Sequence, residues 1–508
     1  MVPVVIGRSA RPSRFTIFRD RYLASENVIA VVGGALVVAA AVAFFLFASA
    51  TDPDTWVPVV VLLVLVIVSV PICYLLSRSP SDRRLRRLLL LSLALKMLAV
   101  GPRYYMLEVY YDGEGDALRY DRAGDYLVQN MGQGNFSIEG SELVSFPSTT
   151  RFVGYVTGTL YLVFGTSYLG GFFVFSWLAW LGLVMLFRAF QVAFPNAPPY
   201  RAAILILMWP SSVFWPSSIG KDALMVFCVG LMTLGAARLL TGRGRGRGLL
   251  FIALASLFMM QVRPHLVLIS AIALAGSQLA GSTDAAKGKR SIAVRVALLV
   301  AIIPLATVGF SRIDALGGQA EGETLFQSLD TTVSRTEIGG SAFAAVPVRT
   351  PLDVPFAAVS VIYRPFLFEV RSAPAAISAL EGAVLLGLTF AAWRWIGRVI
   401  PVMARTAFGA FCGLYVLAFV IAFSNIANAG ILSRQRVQMY AVMMIVVAAA
   451  YETYRVHERE LEEAAESDDL ADVGQPALAS VGALGEPRAA DPAPHTDPLP
   501  VPGRIPVS

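Results

Sequence analysis

The sequence predicts an all-α polytopic membrane protein with about twelve transmembrane helices and two long extracytoplasmic loops, and three observations carry that prediction. Hydrophobic residues make up 56% of the 508-residue chain and charged residues 15%, with a mean hydropathy of +0.65, well outside the balance of soluble domains. Runs such as NVIAVVGGALVVAAAVAFFLFA and WVPVVVLLVLVIVSVPICYLL are apolar on every face, where a soluble surface helix keeps one side polar. Basic residues gather in short loops between such runs, which is the habit of cytoplasmic loops.

In chain order, apolar runs place crossings near 28–49, 57–77, 88–104, 168–188, 202–218, 220–240, 249–261, 264–280, 293–310, 374–394, 401–424 and 437–452. A basic stretch, 1–27, precedes the first run, which is too long for the apolar part of a cleaved signal. The N-terminus is therefore expected in the cytoplasm. SRSPSDRRLRR, TGRGRGRG and KGKRSIAVR belong on the same side. Two segments, about 105–167 and 311–373, then face outward. RFVGYVTGTLYLVFG, Arg151 to Gly165, is apolar but breaks this parity and reads as an interfacial or re-entrant helix. QVRPH interrupts another apolar run, so Arg263, Pro264 and His265 form either a turn between two short spans or a kink in one. From 453 to 508 the chain is first acidic, then rich in Pro and Ala, and is expected to be a disordered cytoplasmic tail.

Composition excludes other classes. A pI near 9.2 suggests nucleic acid, but the excess Lys and Arg sit in loops between spans, so no nucleic-acid partner is expected. Cys73, Cys228 and Cys412 lie far apart in apolar runs and read as small core residues.

Charge is costly near a bilayer, so the charged clusters are the candidate site residues. YYDGEGDALRYDRAGDYL follows the third predicted span: Asp112, Glu114 and Asp116 fall in a Gly-interrupted turn, with Asp116 placed to cap the helix that carries Arg119, Tyr120, Asp121 and Asp125. A solvated acidic loop is the plain alternative. In MWPSSVFWPSSIGKDALM, Lys221 and Asp222 open a helix; Asp there suits the helix dipole, and Lys suits a phosphate. Arg263 with His265, and Arg434 with Arg436 in SNIANAGILSRQRVQMY, complete the set. Arginine grips phosphate oxygens in a planar fork, although snorkelling anchors would look the same.

In this order the clusters resemble the GT-C superfamily of membrane glycosyltransferases, which includes protein mannosyltransferases and aminoarabinose transferases. The resemblance covers about 88–452 and rests on GDALRYDRAGDYL, FPSTTRFVGYVTGTLYLVFGTS, PSSVFWPSSIGKDALM and QVRPHLVL. It leaves 28–87 as two additional spans. It implies a multi-pass plasma-membrane enzyme that takes a sugar from a polyprenyl-phosphate donor and passes it, with inversion, to an envelope glycan, lipid or protein acceptor on the outer face. Asp116, then Asp112 or Glu114, would be the general base, because the family's compact Asp-Glu pair is here spread by a glycine. Lys221, Arg263, His265, Arg434 and Arg436 would hold the donor phosphate, with Asp222, Arg119 and Tyr120 in support. A divalent metal (Mg or Mn) on Asp112 and Asp116 is compatible with this set, and the donor's tail would lie among membrane lipids. NAGILSRQRVQMY also resembles the outer loops of Wzy and EpsG polysaccharide polymerases, and a transporter or flippase of envelope precursors is the alternative from another class.

Overall fold

The structure is a computed structural model that describes residues 53–77, 82–280 and 342–473. The predicted crossings at 28–49 and 293–310, the KGKRSIAVR loop and the start of the second outer segment lie outside the described residues. The chain divides into two units, Met1–Tyr454 and Arg455–Ser508. Among the described residues every element is helical, apart from one isolated antiparallel bridge between Ala342 and Asn428.

The helices are α1 (Pro53–Leu76), α2 (Arg83–Leu98), α3 (Val100–Tyr105), α4 (Asp116–Met131), α5 (Ser148–Phe164), α6 (Tyr168–Ala193), α7 (Pro199–Leu207), α8 (Pro210–Phe214), α9 (Lys221–Leu240), α10 (Arg245–Val262), α11 (Pro264–Ala280), α12 (Val354–Tyr363), α13 (Ala373–Ala404), α14 (Ala407–Phe423), α15 (Ala429–Gln435) and α16 (Val437–Val473). Among the described residues five are long and apolar enough to cross a membrane: α1, α6, α9, α10 and α13.

Several predicted elements differ from this. The run at 202–218 is two short helices, because Pro210 forces Trp209 into an extended conformation and ends α7 before it can span. The run at 88–104 breaks after Leu98, then continues as α3 and a π-helical turn, Met106–Tyr110. QVRPH does interrupt the helix: Arg263 closes α10, Pro264 opens α11, α10 lies against α9 and α11 against α14. The acidic stretch after 453 is helical as far as Val473, as its Glu, Ala and Leu content favours.

Helix α4 cannot cross. Ala117, Tyr120, Ala123, Gly124 and Leu127 form its buried face, while Asp116, Arg119, Arg122 and Asp125 occupy the others. It packs instead on α5. Asp121 is half-buried and accepts the Tyr161 hydroxyl of α5; Asp125 accepts from Gln129 Nε2 at 2.6 Å.

The centre of the bundle is α9 between α6 and α10. Gly182 of α6 and Gly230 of α9 let the two backbones touch: a Cβ at Gly182 would strike the Val226 carbonyl, and one at Gly230 the Gly182 carbonyl. Gly182→Ala is expected to cost about 1–3 kcal/mol through forced separation of the helices, read as a lower melting temperature of the solubilised protein. Gly246→Ala, with nothing within 4 Å of the new Cβ, should leave that temperature unchanged.

Two buried cations tie elements together. Lys96 of α2 is fully buried and donates to the carbonyls of Ser212 and Val213 at 3.0 and 2.9 Å, pinning α8. Arg436 is likewise fully buried and donates to the carbonyls of Ile362, Arg364 and Ser378, 3.8 Å from Glu381.

Candidate functional site

The site begins with the turn before α4. Asp112 and Gly113 both take positive φ, +48° and +71°, a region that Asp and Gly tolerate better than most residues. Gly115, in extended conformation, is the N-cap. Asp116 is thus not the cap that the sequence suggested but the first residue of the helix, where its carboxylate still meets the positive end of the dipole. It is half-exposed and lies 3.6 Å from Arg119. One turn on, Tyr120 is buried; burial first, and the Asp116 charge after it, raise the pKa of its hydroxyl well above the usual value, so it stays protonated and able to donate.

Opposite stands the start of α9. Lys221 Nζ donates to Thr150 Oγ1 of α5 at 2.9 Å. Asp222, 5% exposed, accepts from two arginines at once: Arg263 Nη2 at 2.7 Å on Oδ1 and Arg434 Nε at 2.9 Å on Oδ2. Arg263 comes from the break between α10 and α11, and Arg434 from α15, whose start Asn428 caps by accepting from the amides of Gly430 and Ile431. The adjacent Asp222 charge holds the Arg434 guanidinium more firmly protonated than a free arginine.

These parts line one cavity of about 740 Å³. Glu114, Asp116, Tyr120, Lys221, Asp222, Arg263, His265 and Arg434 all border it. Three predicted site residues do not. Asp112 and Arg119 line a smaller hollow of about 440 Å³ with Arg122 and Glu142, and Glu114 borders both spaces. Arg436 faces away into its nest of carbonyls, because two residues along a helix turn a side chain by about 200° from Arg434. Its role there is packing: Arg436→Met takes the guanidinium from the Arg364 and Ser378 carbonyls and leaves the buried Glu381 with its Ser211 donors but without this counter-charge, and is expected to cost on the order of 3 kcal/mol, seen as a lower melting temperature.

Other cavity residues escaped the sequence reading: Arg103, Tyr111, Thr149, Trp215 and Ser218. Arg103 lies at the end of the predicted crossing 88–104, where only its burial marks it as part of the cavity. Two groups bordering the cavity have buried nitrogens without a hydrogen-bond partner, Arg263 Nη1 and His265 Nε2. Such groups call for a ligand or water to satisfy them.

The Asp112 and Asp116 carboxylates open onto different spaces, and among the described residues no three His, Cys, Asp or Glu side chains gather as a metal-holding group. Chemically, the cavity offers a cationic inner wall for an oxyanion and two carboxylates at its rim for a proton. No family model, curated protein or solved structure matches the chain.

Proposed function

We propose that the chain is an integral membrane glycosyltransferase of the GT-C kind, with about twelve crossings, both termini cytoplasmic and its cavity open to the outer face of the plasma membrane. It moves a sugar from a polyprenyl-phosphate donor to a hydroxyl of an envelope glycan, lipid or protein. The observation that supports this reading is the meeting of Glu114 and Asp116 with Lys221, Arg263 and Arg434 around one cavity. Glycosyl transfer to a neutral hydroxyl calls for a base at that hydroxyl and positive charge at the departing phosphate.

The Asp116 carboxylate accepts the proton of the acceptor hydroxyl. The freed oxygen attacks the anomeric carbon, the bond from that carbon to the phosphate oxygen breaks with its electron pair, and the configuration inverts. The new negative charge on the phosphate falls to Lys221, Arg263 and Arg434, whose positions are set beforehand by Thr150 and Asp222. A polymerase of the Wzy or EpsG kind would use the same steps with a growing glycan as acceptor.

The test incubates membranes containing the protein with polyprenyl phosphates bearing a radiolabelled hexose or pentose. Label is expected to leave the donor lipid, and Arg434→Ala to slow its release by roughly 10²-fold, the scale for loss of one charge-stabilising group. Label that crosses the bilayer while still joined to its phosphate would instead mark a flippase and overturn the proposal.

A further inference from the structure

Arg103 stands apart from the other cations of the cavity. Arg263 and Arg434 share the Asp222 carboxylate. Arg103, 3% exposed, has no ion pair with Asp or Glu among the described residues. Its Nε donates to Ser218 Oγ at 3.3 Å, its Nη1 lies 3.8 Å from Met106 Sδ, and its guanidinium sits 5.1 Å from the Trp215 ring centroid and 5.8 Å from that of Phe214. A hydroxyl, a thioether, two ring faces and the more distant charge of Asp222, which Arg263 and Arg434 already share, are weak compensation for a buried charge. A guanidinium has five N–H donors, and these contacts use few of them well.

The balance of the cavity points the same way. Arg103, Lys221, Arg263 and Arg434 line it, whereas Asp222 is the buried carboxylate of its inner wall; Asp116 and Glu114 are exposed at the rim. With Asp116 and Glu114 left in solvent at the rim, the cations of the inner wall exceed its one carboxylate by more than the single negative charge of a phosphodiester.

We propose that Arg103 makes a second oxyanion position in the cavity, so that the ligand carries two anionic groups: one held by Lys221, Arg263 and Arg434, the other by Arg103. This rests on reading the first position as a phosphate site. The second group is either the further phosphate of a diphosphate linkage or the carboxylate of an acidic sugar. Ser218 and Trp215 hold the guanidinium in place while it waits for that group.

The test measures binding to the full chain in lipid nanodiscs with four probes: inorganic phosphate, pyrophosphate, glucose 1-phosphate and glucuronic acid 1-phosphate. A diphosphate ligand predicts that pyrophosphate binds about tenfold or more tighter than phosphate, the scale of one charge-assisted contact. An acidic-sugar ligand predicts that margin for glucuronic acid 1-phosphate over glucose 1-phosphate, with none for pyrophosphate. In either case Arg103→Gln should abolish the margin, whatever it does to the affinity for phosphate itself. Arg103→Lys, which keeps the charge without the fork, should retain part of it and serves if the Gln variant does not fold. Absence of both margins in the native protein, or a margin untouched by Arg103→Gln and Arg103→Lys, overturns the proposal. The sugar-transfer assay is a separate readout: a native protein with the margin but no transfer keeps the Arg103 position and removes the transferase reading, and transfer without a margin does the reverse.

Discussion

Asp116→Asn is expected to lower sugar transfer by about 10²–10⁴-fold, the range for loss of a positioned general base, with little change in melting temperature. The stability half of this expectation follows from exposure. The Asp116 side chain is half in solvent, and its ion pair to Arg119 is long at 3.6 Å, the kind worth at most about 1 kcal/mol. The rate half follows from place: the carboxylate borders the same cavity as Lys221, Arg263 and Arg434. Glu114→Gln should slow transfer less, and Asp112→Asn, whose carboxylate faces the smaller hollow, should stay near native. Steady-state rates in membranes, with the four proteins matched for amount, decide the ranking. A native rate in both Asp116→Asn and Glu114→Gln would remove the carboxylates from the mechanism.

Asp222→Ala carries the largest expected loss of stability. The carboxylate is buried and binds guanidiniums from two separate parts of the chain, the α10–α11 break and helix α15; removing it leaves Arg263 buried without that counter-charge. Breaking a buried pair in this way costs about 3–5 kcal/mol, so the melting temperature should fall by many degrees. Combining Asp222→Ala with Arg263→Met should recover part of that loss, since the stranded charge goes too, yet leave phosphate binding impaired. A single Asp222→Ala variant as heat-stable as native would show that the pairing contributes nothing.

How far the sequence disclosed this site depends on how each residue's cost shows in one dimension. Lys221, Arg263, His265 and Arg434 stood out because charge inside or beside an apolar run needs a reason. Their meeting around one cavity could not be read, since nothing local links Asp222 to Arg434. Arg103 lay at the end of a run taken as a span, where a cation resembles a snorkelling anchor; only burial distinguishes it. Arg436 was grouped with Arg434 by nearness in sequence, although helical geometry sends the two to opposite sides. Among the helices, α6, α9 and α13 were evident from apolar length, whereas the failure of 202–218 to span turned on Pro210 and its effect on Trp209.

The clamp on Asp222 has a consequence for the order in which the protein becomes competent. One of its arginines is made within about forty residues of the aspartate, but the other arrives more than two hundred residues later. A chain still emerging from the ribosome can bury Asp222 against Arg263 and fold much of its bundle, yet it lacks one wall of the cavity until α15 has been synthesised. The proposed anion site is thus complete only once α15 has been made, and a chain terminated before Arg434 would lack that wall of it.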